Sequence, residues 1–138
     1  MANKVLLVII LTVIISMPAF IGGHLIWPPA PGVMPTPEQL PFYVFLSIVE
    51  SLLFGFGISF LFLALPYIRN APKVKKARTI WAFISLEWLL LSWWPHDNLH
   101  MHIGLDLERL LGIEYGFHLT IMIATLIIAN YFYKEIKM

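Results

Sequence analysis

The chain has 138 residues, of which 59% are hydrophobic and 12% charged, with a formal net charge of +1 and a mean hydropathy of +0.82. A soluble domain is typically about half apolar and a quarter charged, so this balance excludes one, and the charge gives no basis for nucleic-acid binding, since Lys and Arg are grouped beside the apolar segments. Cysteine is absent, which removes disulfides, thiolate ligands and Cys nucleophiles.

A hydrocarbon core of about 30 Å takes roughly 20 apolar residues of helix to cross. Four stretches meet that need, at about 5–25, 41–65, 77–94 and 113–133. The expectation is one domain over residues 1–138. In the first stretch Lys4 precedes the apolar run, as in a secretory signal. Met17, Pro18, Ala19 and Phe20 make a poor cleavage site, however, so the segment reads as an uncleaved anchor kinked at Pro18. The run WPPAPGVMPTPEQLP follows. It is too Pro-rich for helix and is expected to lie across the outer face as an extended lid. Thr36, Pro37 and Gln39 read as an N-cap, a first helical residue and a capping-box partner, with Pro41 an alternative start for the second span.

Small residues mark the faces where helices meet in lipid. Ser47, Ser51, Gly55 and Ser59 recur every fourth residue on the second span, and Thr12, Ser16, Ala19 and Gly23 share a face of the first. After the second span come Arg69, Lys73, Lys75, Lys76 and Arg78. The third span then leads into WWPHDNLHMHIG and a short amphipathic stretch, 105–111, expected to lie as a helix in the outer interface before Gly112 turns the chain inward. On the fourth span Glu114, His118, Thr125 and Ala129 fall within about a quarter of the circumference, and that face is expected to point into the bundle.

Lys and Arg in short loops stay in the cytoplasm. The basic cluster between the second and third spans, with Lys4, Lys134 and Lys137 at the two ends, leaves only Arg109 on the other side. The expected fold is therefore an all-α integral membrane four-helix bundle with both termini cytoplasmic. A cytoplasmic or plasma membrane would hold it, with the lipid bilayer as its first partner.

With that topology, all five histidines and every carboxylate except Glu135 fall at or near the outer side. Counted along the helices, Glu50 lies roughly 13 Å deep, Glu87 roughly 10 Å and His118 roughly 7 Å. A charge at such depth costs about 3 kcal/mol, so each residue should face a cavity or a partner. A protonated Glu bonded to Ser or backbone is the plain structural alternative for each one alone. Acids from two helices meeting an imidazole from a third point instead to a metal site.

Glu114 and His118 stand at i and i+4, as do His96 and His100, so each pair can reach one ion from a single helical turn. The candidate ligands are Glu50, Glu87, Glu114, His118, His96, His100 and His102. The three histidines between 96 and 102 are equally readable as solvated residues of an interfacial turn. Carboxylate and imidazole donors suit Zn, Fe, Mn or Cu. The runner-up cofactor is haem b, held by His24 and His118, with Arg109 on a propionate.

The reading that follows is a membrane protein with a His/carboxylate metal or haem site near its outer face, of redox or hydrolytic activity. The alternatives are a non-catalytic accessory subunit of a larger membrane complex or homo-oligomer, and a proton or ion transporter. Transport is disfavoured because the cytoplasmic halves of the spans offer little beyond Thr12, Ser59, Thr125 and Asn130.

Overall fold

The computed structural model describes residues 2–32, 34–103 and 107–136. Every regular element among them is helical: α1 (Ala2–Ile26), α2 (Leu40–Arg69), α3 (Lys73–Leu91), α4 (Trp93–Ile103) and α5 (Leu107–Ile136). Three helices contain a segment long and apolar enough to cross a membrane, Lys4–Ile26, Leu40–Pro66 and Leu110–Glu135. In lipid a helix satisfies all of its backbone polar groups within one segment, which is why these runs fold this way. Large apolar side chains such as Leu25, Phe62 and Leu126 stand exposed along them, a surface compatible with acyl chains.

The expected third span is divided. α3 carries Lys73, Lys75, Lys76 and Arg78 in its first two turns and stops at Leu91. Residues 93 and 94, expected to finish that span, instead open α4. Pro95 causes the break, since it has no N–H to donate and its ring would strike the carbonyl four residues back, that of Leu91. The chain restarts at Ser92, whose carbonyl accepts from the His96 amide at 3.2 Å. α4 is thus the short helix of this region, in place of 105–111. Of that stretch, 107–111 belongs to α5 and 105–106 lie outside the described residues. Gly112 is inside α5 and makes no turn, because flanking helix formers outweigh the cost of about 1 kcal/mol that Gly carries against Ala.

The chain forms two compact units, one of Met1–Phe60 with Leu90–Asp106 and one of Leu61–Leu89 with Leu107–Met138. In the first, the small-residue faces meet as expected. Ser16, Ala19, Ser51 and Ser59 are buried, and a Cβ placed on Gly55 would stand 2.6 Å from the Thr12 carbonyl oxygen and 2.9 Å from the Ser16 amide nitrogen. Backbones approach that closely only where one residue has no side chain. α4 is fixed to α1 by the Trp94 indole, which donates to the Ala19 carbonyl at 3.1 Å and packs between Trp27 and Phe54.

In the second unit α3 and α5 run antiparallel. The Trp88 indole donates to the Thr120 hydroxyl at 3.1 Å, while near the other end Lys75 at 3.2 Å and Arg78 both pair with Glu135, and Arg78 lies over the Tyr131 ring. The inward face of α5 differs from the expected one. Among its described side chains Leu110, Phe117 and Ala124 are buried, with Glu114 and Ile121 half-buried between them and Ile128 and Tyr131 half-buried beyond, whereas His118, Thr125 and Ala129 are exposed. The stripe repeats at alternating steps of three and four with mostly apolar residues, and that packing leaves Glu114 as the one member of the expected face that turns inward.

Candidate functional site

The first unit contains a cavity of about 670 Å³. Its helical walls come from three places: His24 on α1; Tyr43, Leu46, Ser47 and Glu50 on α2; and Asp97, Asn98, His100 and Met101 on α4. The Pro-rich connector supplies the remainder through Gly32, Met34, Pro35, Thr36 and Gln39, and so forms a wall of this cavity.

Local chemistry holds that connector in place. The Ala30 amide donates to the Met101 carbonyl at 3.3 Å, and His102 Nδ1 donates to the Pro28 carbonyl at 2.8 Å. A carbonyl only accepts, so His102 carries its proton on Nδ1. Pro31 and Gly32 make a turn in which Gly32 has φ of 85°, a backbone region that costs a side-chain-bearing residue about 1–2 kcal/mol. The connector ends at Thr36, whose carbonyl accepts from the Gln39 and Leu40 amides and whose own amide donates to Gln39 Oε1 at 3.1 Å. That is one arm of the expected capping box. The Thr36 hydroxyl donates instead to Glu38 and holds that carboxyl below the usual carboxylate range.

Glu50 is buried, with 8% of its surface exposed, and it and Asp97 line the same cavity as neighbouring acids. Ionised carboxylates only accept, so two of them meet through a proton or a cation. Asp97 also lies 3.0 Å from His96 Nδ1. An imidazole donating from Nδ1 to a carboxylate presents the Nε2 lone pair elsewhere, which is the arrangement that orients metal-binding histidines. His96 and His100 stand one turn apart, rings edge to face at 4.6 Å, with ring nitrogens within 4.8 Å of each other. The i, i+4 pairing expected for them is therefore present, and α4 supplies the helix it requires.

Of the candidates read from the sequence, His24, Glu50 and His100 line this cavity, His96 adjoins it through Asp97 and His100, and His102 is engaged with the connector. Glu87, Glu114 and His118 belong to the second unit. There His118 Nδ1 donates to the Glu114 backbone carbonyl at 2.8 Å and lies 3.6 Å from the Glu114 carboxylate. Glu87 is buried, and neither of its oxygens has a hydrogen-bond partner among the described residues. Arg109, expected at a haem propionate, has its side chain outside the described residues.

Asp97 is the site residue that sequence reasoning misses. In the sequence it reads as a cap of an interfacial turn, and the only available signal is its place between His96 and His100 on what proves to be a helix. The donor set itself, two acids with imidazoles and no sulfur thiolate, fits a divalent cation. A cation between Glu50 and Asp97 would relieve the same repulsion that a shared proton relieves. Comparison with family models, with curated proteins and with solved structures gives no match.

Proposed function

We propose that this is a metalloprotein of the membrane. In this reading the chain crosses the bilayer four times by α1, α2, α3 and α5, with both termini cytoplasmic and the cavity at the outer face. Support for α3 as a crossing comes from its pairing with α5 from Lys75 and Glu135 to Trp88 and Thr120, alongside a segment that is itself apolar enough to span. Its basic start is what the positive-inside tendency asks of a cytoplasmic loop.

Glu50, Asp97 and His100 are the residues proposed to hold the metal, with His96 either a fourth ligand or the imidazole that Asp97 orients. The observation that carries this is that Glu50 and Asp97 line one cavity together with the imidazoles of His24 and His100. Zinc, iron or manganese suits these donors. Such an ion, when bound, polarises an oxygen of a substrate or lowers the pKa of a bound water. The chain's own groups do the remainder: the 28–39 connector excludes bulk water, Asp97 fixes the His96 tautomer, and Tyr43, Ser47 and Asn98 offer hydrogen bonds for positioning.

Elemental analysis and an optical spectrum of detergent-purified protein test the proposal together. The expected result is one non-haem metal per chain, lost in Glu50→Gln and in Asp97→Asn. A folded protein with no metal overturns it, and a Soret band transfers the site to haem.

A second reading, an accessory subunit of a larger membrane complex, draws on Gly112 and Gly116. Both are exposed on α5 with open space where a Cβ would stand, and their spacing is one at which transmembrane helices approach. Cross-linking in native membranes separates the two readings.

A further inference from the structure

Three hollows of the first unit share walls. The polar cavity adjoins a smaller one of about 110 Å³, and the two have His24, Met34, Pro35, Tyr43, Ser47 and Met101 in common. The smaller one reaches Phe20. Phe20 also bounds a groove of about 170 Å³ between Ser16 and Met17 on α1 and Ile48, Ser51 and Leu52 on α2. From His24 to Ser16 this path descends about 12 Å along α1 at 1.5 Å per residue.

Polarity falls from the cavity to the groove. The cavity holds Asp97, His100 and, level with the groove on α2, Glu50; in the middle hollow Phe20, Leu40 and Val44 join the wall; in the groove only Ser16 and Ser51, both buried, interrupt apolar side chains. The rim of the groove faces outward, with Met17 61%, Ile48 44% and Leu52 41% exposed. These residues lie inside the two segments apolar enough to span a bilayer, so the groove opens toward acyl chains. A transmembrane helix is about 10–12 Å across with its side chains and would rest on such a groove without entering it. A single hydrocarbon chain is thin enough to enter.

We infer that the first unit binds a membrane amphiphile, its acyl chain in the α1–α2 groove and an oxygen-bearing headgroup in the polar cavity. The headgroup contact rests on the proposed metal site; the groove contact does not. A polar pocket that neighbours, across the middle hollow and Phe20, an apolar groove opening sideways into lipid matches the shape of such a molecule, whereas a water-soluble substrate would leave the groove unused. The Pro-rich connector then covers the headgroup, and the substrate enters from the bilayer.

The test uses the full chain in phosphatidylcholine vesicles with a long-chain fatty alcohol carrying a mid-chain diazirine, adducts being mapped by mass spectrometry. Met122 and Leu126 on α5, 64% and 68% exposed, report contact with bulk lipid. Adducts at Met17, Phe20, Ile48 and Leu52 should exceed those at the two α5 positions about fivefold, equivalent to about 1 kcal/mol of preference. Excess unlabelled fatty alcohol should remove that preference. Ile48→Trp, a change at a lipid-facing position that fills the groove, should abolish it, and Glu50→Gln should reduce it for the alcohol but not for the matching alkane probe. Equal labelling of groove and α5 means bulk contact only and overturns the inference. Metal content is measured on the same vesicles, so loss of the metal reading registers separately from loss of the groove.

Discussion

Two glutamates, one in each unit, are buried to nearly the same degree, Glu50 at 8% exposure and Glu87 at 7%, yet they keep opposite company. Glu50 meets Asp97 at a cavity that His24 and His100 also line. Glu87 has no hydrogen-bond partner among the described residues and lines none of the three hollows of the first unit. Counted along the spans expected from the sequence, both look like site residues. Depth alone does not separate a carboxyl held for chemistry from one carried at a cost by a helix, whereas a second acid, an imidazole and room for a ligand do.

The largest effect should therefore come from one of the pair only. Glu50→Gln is expected to lower metal affinity by more than about 100-fold, above the 10–100-fold typical of losing a group that merely orients a ligand. Glu87→Gln is expected to leave it unchanged, by calorimetry or competition with a chelator. Glu87→Leu should raise stability by about 1–2 kcal/mol, since an unpartnered buried polar group is replaced by an apolar one. Loss of metal on changing Glu87 would break the contrast between the units.

Glycines extend the same comparison to packing. Gly55 lies against the Thr12 and Ser16 backbone, while a Cβ added to Gly116 would meet nothing within 4 Å. Gly55→Leu is expected to destabilise by about 2–3 kcal/mol or to separate α1 from α2, because overpacking against backbone has no easy relief. Gly116→Leu should be near neutral for the isolated chain. Unfolding in bicelles measures both. A large effect at Gly116 would show that this face of α5 is covered in the membrane, and would favour the accessory-subunit reading.

In the second unit the expected effects are smaller. Trp88→Phe removes the indole bond to Thr120 and keeps most of the ring, and side-chain hydrogen bonds between membrane helices average about 0.6 kcal/mol. The same unfolding measurement should return a value of that order.

What is legible in the sequence follows from strong, repeated signals. Long apolar runs mark α1, α2 and α5, and four-residue spacing of Ser, Gly and Ala picks out the faces that pack in α1 and α2. The 94–103 region is not legible in the same way. A single proline decides whether Trp94 ends one helix or begins another, and the consequence, that His96, Asp97 and His100 share a short helix, depends on where that helix docks. Docking is set by Trp94 reaching Ala19, a contact 75 residues distant in the chain. The α5 face escapes sequence reasoning for a different reason: sparse polar residues read as inward-facing because lipid penalises them, while the largely apolar stripe of Leu110, Phe117, Ile121 and Ala124 determines the packing and takes in only Glu114 of the expected face. His118 satisfies its Nδ1 locally, on the Glu114 carbonyl, and so tolerates exposure.

The smallest predicted effect concerns the end of the connector. The Thr36 hydroxyl and then the backbone amide stabilise ionised Glu38, holding its pKa below the ordinary value. A folded-state pKa lower than the unfolded one contributes stability that is fully present above about pH 4.3, the unfolded glutamate value, and is lost as pH falls through the folded value. Thr36→Val should move the Glu38 titration upward toward that ordinary value, as read by carboxyl-carbon NMR, while Gln39 still caps the Thr36 amide position. An unmoved titration would mean that the backbone amide alone sets it, and the start of α2 would then owe its position to Gln39 and Pro37 without help from the threonine hydroxyl.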